Sequence, residues 1–286
     1  MFSLNVVIAL NKPEGVTSQQ AVTRVKRLFG VKKAGHAGTL DPLATGVLLV
    51  CLGEATKISR FLMDNKKEYR ARMQLGIRTD TLDSEGTVTE IRNVPHLSSN
   101  DIQQVAREFT GRIMQKPPMY SALKHEGRPL YALARKGITV ERALRPVDIY
   151  SLSISAVQLP YVDLIIHCSK GTYIRTLCDD LGERLGTLAH LTSLVRTRTG
   201  IFSLERTAGL DQLSVDSKEF SAAPYIYSID EALSEFAEVI VREEDYHRIR
   251  NGMSISAEDL TVSGYTTFVR LKTPSGKLFG IGKIEN

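Results

Sequence analysis

Residues 35–46 read GHAGTLDPLATG, and residues 47–52 continue as the apolar run VLLVCL. Three glycines, a proline and the absence of helical or strand periodicity predict an irregular loop for the first part. The apolar run predicts a buried strand, into which this loop leads. Irregular loops inside compact domains often carry function. Asp41, in the middle of the loop, is therefore the first residue to consider for chemistry.

Asp41 stands immediately before Pro42, which disfavours the helical conformation and favours an extended one. A carboxylate held in this way can act as a nucleophile, a general base or a metal ligand. No second Asp or Glu lies close by in the sequence, which argues against a glycosidase-like carboxylate pair and against a Mg²⁺ site. The alternative is a turn aspartate that accepts hydrogen bonds from nearby backbone N–H groups.

Three further side chains are candidates because of their surroundings. His36 lies between two glycines, where a histidine either bonds at the surface or takes part in catalysis. Tyr69 is flanked by lysines and arginines, a pattern that suits base stacking beside phosphates or a half-buried strand aromatic. Arg175 occupies the first turn of a predicted helix, where the helix dipole disfavours a cation. A buried carboxylate is its expected partner.

Strand and helix patterns alternate around these residues. A strand is predicted over residues 6–10, followed by a helix that is capped at Thr17 or Ser18 and ends at Gly30. Further patterns predict a helix over 54–63, an alternating strand over 69–75, two strands within 147–168, and a helix that begins near Ile174. Together these patterns predict a mixed α/β protein.

The positive charge is concentrated towards the N-terminal end. The 286 residues include 37 Lys and Arg against 32 Asp and Glu, a net charge of +5. Residues 1–80 contain 13 of the cations and 6 of the acids, a net charge of +7, so residues 81–286 carry −2. A basic lobe beside a nearly neutral remainder is compatible with a polyanionic partner, and nucleic acid is favoured over a membrane.

Composition and targeting patterns narrow the class further. With 42% hydrophobic and 24% charged residues, the chain is typical of a globular protein, and disordered or collagen-like chains are excluded. The three cysteines form no CxxC motif or metal-ligand spacing, so we interpret them as small buried hydrophobic residues. Residues 1–10 predict a strand rather than a signal peptide. No apolar run approaches the roughly 18 residues of a membrane span, so we expect a cytoplasmic protein without membrane association.

Two segments differ from the alternating pattern. Residues 123–146 are rich in Lys and Arg and poor in acids, which predicts a protruding basic insertion. Residues 239–286 carry strand and glycine patterns, which predict a small all-β unit. Its roughly 48 residues are few for independent stability, so the unit is expected to dock on the main body. We accordingly expect one domain over residues 1–238 and a second over 239–286.

Five sequence blocks occur in an order that is found in one enzyme family. They are residues 11–18 (NKPEGVTS), 35–46 (GHAGTLDPLATG), 67–69 (KEY), 171–176 (GTYIRT) and 190–196 (HLTSLVR). Together they resemble the motifs of the TruB family of pseudouridine synthases in its bacterial form. The resemblance covers roughly residues 5–210, and the tail is similar to a small PUA-type RNA-binding domain. Ala37 departs from the family pattern, in which Thr or Ser is common.

The resemblance implies a fold and a reaction. The fold is of the α+β class, with a central mixed, largely antiparallel sheet flanked by helices and a small all-β PUA-like domain at the C-terminal end. The reaction is the isomerisation of uridine 55 in the T loop of tRNA to pseudouridine, without cofactor or metal, on a nucleotide flipped out of its stack. Asp41 is then the nucleophile, and Tyr69 stacks on the uracil and helps to remove the C5 proton. Arg175 pairs with Asp41, which is expected to stay ionised at neutral pH.

The family pattern also implies roles for residues around these three. Leu194 packs against the base, and Lys12 and Pro13 support the Asp41 loop at the substrate site. His36 contacts the RNA and helps to hold the nucleotide out of its stack.

The basic insertion corresponds to the thumb of the family, which closes on the T loop. Lys124, Arg135 and Lys136 are its expected RNA-binding residues, and residues 80–86 form another part of the rim. The partner implied is tRNA, bound through its T stem-loop, with no guide RNA, and the protein is expected to be a monomer.

The sequence leaves the reaction route and two other functional hypotheses open. In the route, Asp41 can attack C1′ or C6, or assist the formation of a glycal. A guide-RNA-dependent synthase acting on ribosomal RNA is a second hypothesis, but such relatives differ after the Asp-Pro pair and carry extra basic extensions. A third hypothesis is an RNA-binding or RNA-folding module in which catalysis is secondary.

Overall fold

The computed structural model describes residues 4–214, 223–255 and 267–284. Its helices are α1 (Ser18–Leu28), α2 (Ser59–Met63), α3 (Ser99–Glu108), α4 (Leu130–Ala134), α5 (Ile174–Arg184), α6 (Ile229–Ala232) and α7 (Glu243–Arg250), with 3-10 turns at Gly53–Ile58 and Leu204–Arg206. Its strands are β1 (Val6–Lys12), β2 (Ala34–Ala37), β3 (Thr45–Leu52), β4 (Lys67–Leu75), β5 (Ile77–Thr79), β6 (Val88–Ile91), β7 (Gly111–Gln115), β8 (Lys124–His125), β9 (Arg128–Pro129), β10 (Arg145–Gln158), β11 (Tyr161–Cys168), β12 (Ala189–Thr199), β13 (Phe202–Ser203), β14 (Ile226–Ser228), β15 (Ala237–Ile240), β16 (Phe268–Lys272) and β17 (Leu278–Lys283).

One large sheet organises the described part of the chain. Its main path runs β14-β1-β3-β12-β4-β11-β10-β7, with β13 beside β12 and β2 beside β3. Among these described strands, every neighbouring pair is antiparallel except β3 and β12, which are parallel. The mixed, largely antiparallel sheet that the family resemblance implied is confirmed.

The predicted buried strand of residues 47–52 lies in the middle of this sheet as part of β3. The even-numbered residues from Leu48 to Leu52 face a core that also contains α1, α3 and α5. The odd-numbered residues from Val47 to Cys51 face a second core that contains α2. Because β3 is covered on both faces, its sequence has no polar alternation.

The strands β4 and β12 bring separate sequence blocks together. Buried and more exposed residues alternate along β4, as predicted, because only one of its faces is covered. β12 pairs antiparallel with β4, with Arg196 opposite Tyr69 and Leu194 opposite Ala71. On its other side β12 pairs in parallel with β3, where Arg196 lies beside Gly46. The register of the sheet thus places residues from three of the five blocks next to one another.

The prediction that residues 35–46 form an irregular loop is wrong at both ends. β2 pairs antiparallel with β3, so His36 is a strand residue, and β3 itself begins at Thr45. The irregular part is limited to residues 38–44. The glycines and the proline of this stretch have low strand propensity, so the local sequence does not predict these pairings. The strands form because strand formation depends more on a long-range partner than on local propensity.

Gly46 is required at the point where β3 leaves the loop. Its φ of +97° lies in the left-handed region, and a Cβ atom built there would lie 2.3 Å from the Arg196 carbonyl oxygen. Gly46→Ala is therefore expected to lower the free energy of unfolding by at least about 3 kcal/mol, because conformational strain and a backbone clash add together. Urea titration followed by circular dichroism measures this loss.

Gly186→Ala is the matched control for this prediction. Gly186 has a φ of +76°, but no atom lies within 4 Å of the position that its Cβ would take. Only conformational strain of about 1–2 kcal/mol is expected there. Equal losses in the two variants would contradict the clash at Gly46.

A smaller sheet lies near the C-terminal end. In it, β15 is parallel and β17 antiparallel to β16. Phe61 of α2 makes edge-to-face contacts with Phe236 and Phe268, at ring-centroid distances of 5.6 and 5.1 Å, so this sheet docks on the main body. α7 lies between β15 and β16 along the chain, and the sequence did not predict it. β15 begins two residues before the expected boundary at 239, and residues 256–266 and 285–286 of the tail lie outside the described residues.

Three smaller expectations can be compared directly. The three cysteines are free and buried, as predicted. The helix predicted for residues 54–63 divides into a 3-10 turn and α2. Within the residues that the structure describes, no helix combines the length and the apolar character that crossing a membrane requires.

Candidate active site

A cleft of about 510 Å³ opens where the irregular loop, two central strands and α5 meet. Its lining includes Asp41 from the loop, Tyr69 from β4, Leu194 from β12 and Arg175 from α5. Residues at both ends of the basic insertion line it as well. Four candidate residues from separate sequence blocks therefore share one cavity.

Arg175 holds Asp41 and two neighbouring segments together. Its Nε lies 3.0 Å from Oδ2 of Asp41, and its terminal nitrogens donate to the carbonyl oxygens of Thr81 (2.9 Å) and Tyr120 (2.8 Å). The side chain of Arg175 is 5% exposed, whereas that of Asp41 is 35% exposed. The cation in the first helical turn thus has the carboxylate partner that its position predicted.

A second carboxylate, which the sequence did not single out, shares this arginine. Asp83 lies between β5 and β6, is buried, and places Oδ2 3.5 Å from Nη1 of Arg175. Its Oδ1 accepts hydrogen bonds from the hydroxyl of Thr81 (2.5 Å) and from the backbone N–H of Glu85 (3.1 Å). Asp83 is far from Asp41 in sequence, so only the folded chain makes them neighbours of one guanidinium.

Burial raises the pKa of Asp41 above its ordinary value, and Arg175 opposes this rise. The negative charge of Asp83 raises the pKa further, whereas Lys12 lowers it. Arg175 therefore does not set the ionisation of Asp41 alone, because desolvation is the largest contribution to the pKa of this carboxyl. A raised pKa makes the ionised carboxylate a stronger base and nucleophile.

The rate of the chemical step is expected to fall as the pH is lowered, and the midpoint of this fall is expected to lie above the pKa of an ordinary aspartate. Only the ionised carboxylate can act, and its fraction rises with pH through the raised pKa of Asp41. Asp83→Asn removes a negative neighbour, lowers this pKa and is expected to move the acid limb to lower pH. Single-turnover rates between about pH 4 and pH 8 measure both effects. If Asp83→Asn leaves the acid limb of the pH–rate profile at the same pH, or moves it to higher pH, this assignment is contradicted.

Lys12 supports the Asp41 loop, and its buried ammonium group is not accessible to RNA. Its side chain is fully buried, and Nζ donates to the carbonyl oxygens of Pro13 (2.8 Å), Val16 (2.6 Å) and Pro42 (3.1 Å). Burial lowers the pKa of Lys12 to about 8. These contacts agree with the loop-supporting role, but direct RNA binding by Lys12 does not fit them, because all three of its donors are used. Pro13 is exposed.

Tyr69 and Leu194 supply aromatic and apolar parts of the cleft lining. Tyr69 is 8% exposed, and burial raises the pKa of its hydroxyl. Leu194, on the neighbouring strand, is 6% exposed. A flat, uncharged ring finds matching surfaces here, close to the Asp41 carboxylate.

Two buried cations in the lining received no role from the sequence. Lys67 donates to two backbone carbonyl oxygens at and just beyond the end of α2, and burial lowers its pKa to about 8. Arg196 is 1% exposed and donates to the carbonyl oxygens of Gly38 and Val47. The contacts of Lys67 lie within four residues in the sequence, whereas Arg196 contacts backbone groups 149 and 158 residues away, which no local pattern reveals.

His36 and three cations of the insertion, Lys124, Arg135 and Lys136, lie outside the cleft. His36 is half-buried in β2, and burial together with the charge of Arg196 lowers its pKa, which leaves the ring neutral at pH 7. Lys124, Arg135 and Lys136 are exposed. Within the described residues none of these four side chains lines the cavity, so their contacts with RNA stay a prediction.

The site combines a reactive carboxylate, a guanidinium that orients it and an aromatic ring. In residues 4–214, 223–255 and 267–284, no group of three or more His, Cys, Asp or Glu side chains could hold a metal ion. The side chains that are present suit nucleophilic attack on a planar ring or on its sugar, and removal of a proton from that ring.

Two family models match consecutive parts of the chain. Residues 26–174 match the N-terminal domain of the TruB family pseudouridylate synthases, and residues 175–234 match the C-terminal domain of tRNA pseudouridylate synthase B. The tRNA pseudouridine synthase B of Hydrogenovibrio crunogenus is 43% identical over 277 residues, which cover 97% of this chain and 88% of that protein. The protein of the same name from Pasteurella multocida is 44% identical over 282 residues, with 98% and 91% covered.

Solved structures with the same fold come from larger assemblies. A crystal structure of a Cbf5-Nop10-Gar1 complex superposes with a TM-score of 0.76 and 29% identity, over 97% of this chain and 78% of the other. An H/ACA RNP bound to a substrate RNA that contains 2′-deoxyuridine gives a TM-score of 0.74 and 27% identity, over 97% and 77%.

Proposed function

Because the chain belongs to the TruB family of pseudouridylate synthases, we propose that it isomerises uridine 55 in the T loop of tRNA to pseudouridine, with Asp41 as nucleophile. The Asp41–Arg175 ion pair inside the cleft carries this proposal, because it holds a carboxylate where a flat ring can enter. The relatives named tRNA pseudouridine synthase B support tRNA as the substrate.

The isomerisation exchanges one bond for another. The bond between N1 of uracil and C1′ of ribose breaks, and a bond between C5 and C1′ forms. The proton on C5 is released and N1 is protonated, so the atoms balance without a redox partner. The uracil must turn while it is held, and a carboxylate that bonds covalently to the sugar or the base keeps the fragments together. Attack at C1′, attack at C6 and a glycal route all use the same carboxylate.

The other residues of the cleft have complementary roles in this proposal. Arg175 orients the Asp41 carboxylate and compensates its charge. Tyr69 stacks on the uracil and helps to remove the C5 proton, and Leu194 packs against the base. Each assignment is supported by the position of the side chain in the cleft lining.

The domain division remains part of the proposal. Residues 1–238 form the catalytic unit, from which residues 123–146 project as the thumb, and residues 239–286 form a small PUA-like RNA-binding unit. The exposure of Lys124, Arg135 and Lys136 supports the role of the thumb in contacting phosphates.

The deciding experiment uses an unmodified tRNA transcript labelled with tritium at uracil C5. The purified protein is expected to release tritium, and a transcript with cytidine in place of uridine 55 is expected to release no more than a protein-free control. No release from the first transcript would refute the isomerisation. Equal release from both transcripts would show that uridine 55 is not the target, while the isomerisation of another uridine would still be supported.

A bare T stem-loop hairpin distinguishes an autonomous enzyme from one that needs an assembly. One structural neighbour was solved as a Cbf5-Nop10-Gar1 complex and another as an H/ACA RNP bound to a substrate RNA, so this alternative has a specific basis. Release of tritium from the hairpin, with no other RNA or protein present, is expected. Activity that appears only after another RNA is added would favour the guide-dependent hypothesis.

Salt dependence tests the proposed phosphate contacts. The affinity for tRNA is expected to fall steeply between low and moderate salt, because each neutralised phosphate releases counterions. The charge reversal Arg135→Glu/Lys136→Glu is expected to make the slope of log affinity against log salt shallower by about 2. Filter binding across a salt series measures both slopes. Arg107→Glu, an exposed position on α3 away from the cleft, is the control, and an identical change in both variants would contradict the thumb contacts.

A further inference from the structure

Arg196 donates hydrogen bonds to the backbone on both sides of the loop that carries Asp41. Its Nε donates to the carbonyl oxygen of Val47 (2.7 Å) and its Nη2 to that of Gly38 (3.1 Å), while Nη1 lies 3.5 Å from the oxygen of Thr39. Gly38 and Val47 stand on opposite sides of Asp41 in the sequence. A single guanidinium therefore fixes the separation between the two ends of the loop.

The same arginine lies beside Tyr69. Arg196 is opposite Tyr69 in the pairing of β12 with β4, and both residues line the cleft. Its positive charge opposes the rise that burial causes in the pKa of this hydroxyl. Arg196 thus links the backbone of the nucleophile loop to the ring that is proposed to stack on the uracil.

A buried arginine of this kind is costly for stability. The hydrogen bonds that Arg196 makes within the described residues end on carbonyl oxygens, not on a carboxylate. Desolvation of such a cation is not balanced by a full opposite charge, and an apolar side chain of similar volume is often at least as stable. A constraint other than stability therefore accounts best for an arginine here.

We propose that Arg196 is a positioning residue for the isomerisation, which sets the placement of the Asp41 loop relative to the Tyr69 ring and so aligns the nucleophile with the stacked uracil. This inference rests on the proposed function. Its contribution differs from that of Arg175, which contacts the Asp41 carboxylate itself. Arg196 instead fixes the backbone on which that carboxylate is carried.

Arg196→Lys is the first test. The lysine keeps the buried charge, but a single ammonium cannot reproduce the planar fork that joins Gly38 and Val47. The single-turnover rate of tritium release is expected to fall about a hundredfold, because a displacement of reacting groups by about 1 Å has an effect of this size. The Kd for the tRNA transcript is expected to change by less than about threefold, because Arg196 is buried.

Arg198→Lys is the matched control. Arg198 lies two residues further along β12, is 46% exposed, and pairs with Glu68 at 3.6 Å rather than with the loop. Its substitution is expected to leave the rate, the Kd and the Tm close to those of the unaltered protein.

A double-mutant cycle with Tyr69→Phe separates positioning from simple structural support. Because Arg196 is proposed to place the loop relative to the Tyr69 ring, Arg196→Lys is expected to lower the rate by a smaller factor in the Tyr69→Phe background than alone. A purely structural role would lower the Tm and give equal factors in both backgrounds. All rates are measured well below the Tm of each variant.

The outcomes separate this inference from the proposed function. If the unaltered protein releases no tritium, the proposed function fails. The inference alone is overturned if the unaltered protein is active and folded Arg196→Lys is equally fast or loses only RNA affinity. It is also overturned if Arg196→Lys lowers the rate by the same factor with Tyr69 and with Phe at position 69. If Arg196→Lys does not fold, Arg196→Gln decides, because it removes the guanidinium without leaving a buried unpaired charge. Its rate is expected to fall with an unchanged Kd, and a full rate would overturn the inference.

Discussion

Asp41→Ala is expected to lower the rate of tritium release by at least about 10⁴-fold, because the proposed reaction loses its nucleophile. Binding of the tRNA transcript is expected to persist, since the exposed cations of the thumb are unchanged. The isosteric Asp41→Asn is expected to be equally inactive, because an amide keeps the shape of the carboxylate without its charge or nucleophilicity. Single-turnover tritium release and filter binding measure the two properties separately.

Asp163→Asn controls for the loss of an aspartate in general. Asp163 pairs with Arg72 at 2.6 Å on β11, outside the cleft lining, so its substitution is expected to leave the rate unchanged. Persistent tritium release from folded Asp41→Asn would show that another group attacks the substrate. Loss of RNA binding together with activity would instead indicate that Asp41 organises the binding surface.

Arg175→Lys is expected to lower the single-turnover rate by roughly 10²- to 10³-fold with little effect on RNA binding. The guanidinium contacts the Asp41 carboxylate and donates to the carbonyl oxygens of Thr81 and Tyr120 at the same time. A lysine ammonium has neither the planar fork nor the reach to serve all of these groups. The carboxylate therefore loses its fixed orientation while most of the local charge is retained.

Arg175→Met tests the structural side of the same contact. It removes the cation from two carboxylates, one of which, Asp83, is buried. The free energy of unfolding is expected to fall by about 3–5 kcal/mol, because an uncompensated buried charge is strongly unfavourable. Urea titration measures the loss.

Arg184→Lys, at the other end of α5, is the control for both substitutions. Arg184 pairs with Glu108 at 2.6 Å, and both side chains are largely exposed. Such surface pairs contribute little to stability, so the rate and the unfolding free energy are expected to stay near their original values. Equal effects at positions 175 and 184 would mean that α5 responds to any loss of a guanidinium.

Much of the fold was readable from local patterns. The apolar run after Gly46 gave a strand buried on both faces, and the alternation along residues 69–75 gave one that is covered on a single face. Helix α1 begins where its Thr17 cap predicted. These features depend on periodicity and on turn chemistry, which neighbouring residues in the sequence specify among themselves.

Patterns of this kind failed where pairing is decided at long range. β2 forms because β3 offers it a partner, although its own sequence, AGHA, has little strand propensity. The tail contains α7 in addition to strands, and its short, strongly charged sequence shows no clear apolar stripe. In both cases tertiary contacts outweighed the local preference.

The sequence by itself determined which residues are proposed to carry the chemistry. Asp41, Tyr69 and Arg175 were singled out by their neighbours and by the resemblance of five blocks to one family, and the misplaced charge of Arg175 correctly predicted a carboxylate partner. What only the tertiary structure decided is how that chemistry is controlled. Asp83 joins Arg175, and Arg196 joins the backbone on both sides of the loop, through contacts between residues that are far apart in the chain. No sequence period encodes such contacts, because the register of the sheet and the burial of each charge exist only once the chain has folded.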